Sequence, residues 1–188
     1  MRLVAFFCIL FVSVFSLAEE DTAFTFSIME PLGGTVPHPV GWSLREAHGS
    51  NHYKWMVAEK FLENGSFSTG VTIQAFPEVR EQVGKPASVF VHESISSLTD
   101  NARVLSKCTS MEAGIFERIC SESHETLTIN SITEEYRIDY SGFWNDEIDL
   151  GVIVIFGVPK ARFAKYEDVF EKMSRITLID LERFRDDT

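Results

Sequence analysis

The stretch Leu150-Gly-Val-Ile-Val-Ile-Phe-Gly-Val158 is apolar at every position. Successive side chains of a strand point to opposite faces, so a run apolar at both parities belongs to a strand covered on both sides. Pro159 ends it. Over Ala161–Ile176 the spacing becomes helical. Phe163, Tyr166, Phe170, Met173 and Ile176 share one side, with Glu167, Asp168, Glu171 and Lys172 around the rest. A buried strand that delivers a packed helix requires a sheet with at least one helical layer.

Working upstream, the remaining elements alternate in the same way. Ala23–Met29 reads as a strand with Phe24, Phe26 and Ile28 on one face. Glu30–Val40 holds Gly33-Gly34 and three prolines and reads as an irregular loop. Trp42–Ala47, Tyr53–Lys60 and Val71–Phe76 read as an antiparallel meander, because the turns between them are too short for parallel crossovers. Pro77–Lys85 is a polar connection. Pro86–Asn101 is a helix, with Pro86 in the first turn and Val91, Ile95, Leu98 and Ala102 on one stripe. Val104–Ser110 and Phe116–Glu122 flank a turn, Thr126–Tyr140 reads as one long strand, Ser141–Asp149 as a loop, and Leu178–Asp187 as a polar tail. The pattern predicts an α+β fold: a central antiparallel sheet covered by two main helices, one from each half of the chain.

The ends and the charge bound the compartment and the partners. Met1-Arg2, the apolar run Leu3–Phe15 and the small residues of Ser16-Leu17-Ala18 form a secretory signal, with cleavage expected before Glu19. Residues 19–188 then form one domain in the periplasm or secreted space. The apolar run is shorter than the roughly 20 residues of a span, so no stable membrane insertion is expected after cleavage. Without Arg2 the chain carries 16 basic against 28 acidic residues, a net charge of −12. Such a surface repels nucleic acid and anionic lipid and permits a cationic partner or a metal ion.

Three constellations are candidates for function. Cys108 and Cys120 flank Met111–Ile115; with the hairpin centred on Gly114 they fall opposite one another, on the face that carries Phe116, and a cross-strand disulfide is expected. A turn shifted by one residue would put the thiols on opposite faces. His48 and His52, four apart in a turn, and Asp146 and Asp149 in a later acidic loop are candidate metal ligands; solvated loops are the competing reading. Phe143-Trp144 offers either an exposed partner-binding patch or a cap on the core. No Gly-x-Ser-x-Gly, phosphate-binding glycine pattern or Cys-x-x-Cys is present, so the sequence supplies no catalytic residue and implies no cofactor.

The early strand, Pro39-Val-Gly-Trp42, the hairpin into Val71-Thr-Ile-Gln-Ala-Phe76, and the ending Phe163-Ala-Lys-Tyr-Glu-Asp-Val-Phe170-Glu-Lys-Met-Ser174 resemble the PsbP-like family. These are relatives of the photosystem II extrinsic subunit and share an α/β/α sandwich with DcrB-like proteins. The resemblance implies helices on both faces of the sheet. It also implies a non-enzymatic accessory or binding module, with a protein partner in the cell envelope. It carries over no catalytic residues, because its motifs are core positions.

Overall fold

A computed structural model describes residues 22–180 and 182; the expected signal segment lies outside the described residues. The elements in order are β1 (Phe24–Met29), β2 (Gly33–Pro39), β3 (Ser43–Glu46), β4 (Tyr53–Ala58), β5 (Gly70–Phe76), α1 (Val79–Val83), α2 (Ala87–Thr99), β6 (Arg103–Ala113), β7 (Phe116–Ile129), β8 (Ile132–Asn145), β9 (Leu150–Pro159), a 3-10 turn (Lys160–Arg162), α3 (Phe163–Met173) and β10 (Thr177–Ile179). Seven strands form one antiparallel sheet in the order β3-β4-β5-β9-β8-β7-β6. A second sheet, β1-β2-β10, lies on one side of it together with α3; α2 covers the other side.

β9 sits in the middle of the large sheet, as its two apolar parities require. Val152, Val154, Phe156 and Val158 enter one core with Trp55, Val57, Ile73, Phe170 and Met173. Ile153 enters the other with Val91, Ile95, Tyr136 and Trp144. The α3 stripe is confirmed at Tyr166, Phe170 and Met173, all buried. On α2 the buried stripe is Ala87, Val91, Ile95 and Thr99, an i, i+4 ladder, while Leu98 is 40% exposed. Gly142 seats this helix: a Cβ there would overlap Val91 Cγ1.

Several segments differ from the reading of the sequence. Glu30–Val40 is a tight turn followed by β2. Its prolines are tolerated because Val40 donates to the Ala23 carbonyl at the end of the ladder. Positions 36, 38 and 40 therefore exchange bonds with β1, and Pro37 and Pro39 turn their nitrogens away. Thr126–Tyr140 is broken by a hairpin turn, in which Asn130 and Ser131 both take positive φ, 49° and 65°. β8 then runs on to Asn145, so only Asp146–Asp149 of the expected loop is a turn. Thr177–Ile179, which takes in the first two residues of the expected tail, forms β10 and pairs with β2. Finally, two of the three apolar residues expected on one face of β1 face outward, Phe26 68% and Ile28 55% exposed, while Phe24 packs at the core margin and Met29 turns into the core.

Candidate functional site

One end of the sandwich gathers the β1–β2, β3–β4 and β8–β9 turns with the β5–α1 connection. Together they enclose a cleft of about 640 Å³ that includes Leu32, His52, Tyr53, Glu78, Ile148 and Asp149. These residues come from four separate parts of the chain. Each is held by local structure that the sequence fixes. Asn145 Oδ1 accepts from the Glu147 and Ile148 amides at 2.9 and 3.2 Å and so folds the β8–β9 turn. Asp149 then lies at φ 52° and Glu78 at φ 53°. Both are non-glycine residues in the left-handed region, a conformation that costs about 1–3 kcal/mol and concentrates at binding sites.

The acidic turn serves two helices. The Ser88 amide donates to Asp146 Oδ1 at 2.8 Å and the Ser88 hydroxyl to Oδ2 at 2.7 Å, which caps α2 from a distant segment. The Arg80 amide in the first turn of α1 donates to Asp149 Oδ2 at 2.8 Å. Asp149 Oδ1 is buried and has no hydrogen-bond partner. Of the expected metal ligands, the structure brings His52 and Asp149 to the same cleft and separates the other two. The His48 ring lies against Tyr53 and Trp55, at 5.4 and 5.6 Å, with its Nε2 3.4 Å from Glu46. The His52 ring stacks on Phe76 at 5.7 Å. The turn between them sends the two imidazoles apart. Asp146 is occupied as a cap. Among the described residues no three His, Cys, Asp or Glu side chains are grouped to hold a metal ion.

Phe143 and Trp144 are consecutive on a strand and point to opposite faces. Trp144 is 4% exposed and packs against His92 at 4.9 Å, on the α2 side. Phe143 is half-buried on the α3 side, below the Arg118 guanidinium at 5.4 Å. Trp144 thus fits the other reading of the pair, a cap on the core, and the strand period of two keeps Phe143 on the opposite face.

Cys108 and Cys120 are disulfide-bonded, with Cα atoms 5.1 Å apart. The way the register reaches this pairing is instructive. The turn is Gly114-Ile115, with Ala113 opposite Phe116 and Met111 opposite Arg118. Continued unchanged, that register would place Cys108 opposite Ser121, on the wrong face. An irregularity between Cys108 and Met111 absorbs one residue and returns Cys108 to Cys120.

A polar cluster anchors α3 to the end of β4. Tyr166 OH donates to Glu59 Oε1 at 2.5 Å and Arg162 NH2 to Glu59 Oε2 at 2.8 Å. Partial burial pushes the Glu59 carboxyl up, but the hydrogen bonds from Tyr166 and Arg162 and the Arg162 charge outweigh it and hold the pKa below the ordinary value.

No family model and no curated protein sequence matches the chain. Solved structures do match in shape. The solution structure of cyanobacterial PsbP from Synechocystis sp. PCC 6803 superposes with a TM-score of 0.55, at 8% identity, over 87% of this chain and 96% of that one. The chain has the PsbP-like fold. The Ran-binding protein Mog1p of Saccharomyces cerevisiae is similar at a TM-score of 0.48 and 14% identity, over 86% of this chain and 98% of its own. LpqN of Mycobacterium tuberculosis, involved in cell envelope biogenesis, is similar at 0.47 and 10%, over 85% and 92%. The small second sheet and the helices on opposite faces belong to the PsbP-like fold as it is built here.

Glu78 and Gln82 of the cleft were hidden from the sequence reading because Pro77–Lys85 shows no helical stripe. The signal that marks them is Gly84, whose φ of 70° ends α1.

Proposed function

We propose that the chain is an exported, non-catalytic accessory module that binds a protein partner through the loop end of its sandwich. The observation that carries this reading is the cleft itself. Segments far apart in the sequence meet there, two of them through strained non-glycine residues, around the buried and unpartnered Asp149 Oδ1. Scaffold-held loops at one end of a sandwich are where binding residues concentrate. Glu78 and Glu147 line the cleft and are exposed, so the fitting partner presents a basic surface. The secretory signal and the disulfide support an oxidising compartment outside the cytoplasm. The test is cross-linking in intact cell envelopes followed by purification, with the double variant Glu78→Lys, Glu147→Lys in parallel. One protein recovered with the wild type and lost with the charge-reversed variant is the expected result. Recovery of the monomer alone from the wild type would count against the proposal.

A small ligand in the same cleft is the second reading, and the presence of His52 and Asp149 together favours it. It requires a thermal shift with zinc, calcium or manganese that Asp149→Asn abolishes.

A further inference from the structure

Arg118 lies on β7 with its side chain on the face that carries Phe116 and Cys120. Its Nε is buried without a hydrogen-bond partner. Its NH2 donates to the Ser141 hydroxyl at 2.9 Å. No carboxylate pairs with it among the described residues. Glu122, two positions along the same face, is taken by Arg137 at 3.1 Å, and the guanidinium of Arg137 also covers the Phe163 ring at 3.6 Å. Arg162, in the turn that leads into α3, is paired with Glu59. A guanidinium keeps its charge when buried, so a half-buried arginine without an anion is an unmet electrostatic requirement.

The space in front of Arg118 has two parts. One is a groove of about 530 Å³ between the outer strands and the segment leading into β10; Ile115, Phe116, Phe143, Val154, Ile176 and Leu178 line it. Its size falls within the about 300–1,000 Å³ of small-molecule sites. The other is a recess of about 320 Å³ that shares Arg118, Ser141, Phe156 and Ser174 and holds Glu122, Arg137 and Asp139. Arg118 stands where the apolar part meets the polar part.

We infer that this groove is a binding site for a small amphipathic monocarboxylate, with the carboxylate on the Arg118 guanidinium and the Ser141 hydroxyl and the apolar tail along Phe116, Phe143 and Ile176. A planar carboxylate matches the guanidinium fork. One unpaired arginine balances a single negative charge. The acids of the adjoining recess disfavour a doubly charged phosphate. The ligand class is a medium-chain fatty acid or an aryl-substituted acid. The site is on the face of the sheet and is separate from the loop-end cleft, so the two proposals succeed or fail independently.

The test is titration of the full mature chain with octanoate and decanoate, read by amide chemical-shift mapping, with acetate and decan-1-ol as controls. Saturable shifts at Arg118, Ser141 and Phe143 are expected. Affinity should rise about fourfold per added methylene, and acetate should not bind. Arg118→Gln should weaken decanoate at least tenfold while leaving decan-1-ol unchanged, and Arg118→Lys should recover part of the loss. A wild-type melting profile for Arg118→Gln shows that the loss is not unfolding; if that variant fails to fold, Ser141→Ala and the decanoate-against-decanol ratio in the wild type carry the same test. Equal binding of decanoate and decan-1-ol, no saturable binding, or shifts confined to the loop-end cleft would overturn the assignment.

Discussion

The face of the large sheet that looks toward α3 has two halves of opposite character. Under β4, β5 and β9 it is Trp55, Val57, Val71, Ile73 and Val154, all nearly without solvent contact. Under β7 and β8 it is Arg118, Glu122, Arg137, Asp139 and Ser141. The strands are continuous and hydrogen-bonded across the divide. What differs is the cover. The small sheet and α3 close over the first half, while over the second half α3 and the segment into β10 leave a groove and a polar recess open. The first half can therefore be held by burial alone. The second must be held by cross-strand pairing, ion pairs and the Cys108–Cys120 bond, and it is free to carry charged groups. Stability and recognition thus occupy separate ends of one surface.

Truncation under the full cover should have the largest effect. Trp55 is 0% exposed, and Trp55→Ala should cost about 3–5 kcal/mol in urea unfolding; a loss below about 1 kcal/mol would erase the distinction between the halves. Next comes the covalent tie of the outer half. Cys108→Ser with Cys120→Ser opens a loop with a sequence separation of 12 and should cost roughly 3 kcal/mol. Amide exchange should rise in β6 and β7 while β4 and β5 stay protected; uniform loosening would contradict the division. The smallest effect falls at the boundary. Tyr166→Phe removes one hydrogen bond from Glu59 and should cost about 1 kcal/mol at neutral pH, the group being partly exposed. The Glu59 pKa is lowered in the folded state, so this contribution is present above the ordinary value of 4.5 and is lost as pH falls through the folded value. The variant and the wild type should therefore converge in acid; a difference that persists there would mean that packing, not the hydrogen bond, was lost.

The first half was legible because burial writes periodicity. Leu150–Val158 is apolar at both parities and proved central, and Tyr166, Phe170 and Met173 of the α3 stripe proved buried. The reading failed where pairing geometry decides. Pro37 and Pro39 suggested a loop, yet both fall at positions that need no amide. Asn130-Ser131 contains no glycine, so the turn that divides Thr126–Tyr140 left no strong mark. Leu98 looked like a stripe residue after Val91 and Ile95, but Thr99 continues the i, i+4 ladder and buries its hydroxyl by bonding to the Ile95 carbonyl at 2.9 Å. For the site, the loops holding His52 and Asp149 stood out in the sequence, and the fold brings both to one cleft. Arg118 was not, because a single charge in an otherwise mixed strand carries no sequence signature; its isolation becomes visible only when Glu122 is seen to be engaged by Arg137.

The capping of α2 by Asp146 has a consequence for the order in which the molecule can be built. Ser88 and Asp146 are 58 positions apart, and Arg80 and Asp149 are 69 apart. A chain that emerges N-terminus first produces both helix starts long before the residues that satisfy their amides. A 13-residue helix on its own is marginal in water, so α2 becomes secure only when β8 and β9 arrive together. The β8–β9 turn therefore acts as a late clasp, and the loop end of the sandwich takes its final shape only after β8 and β9 have been delivered.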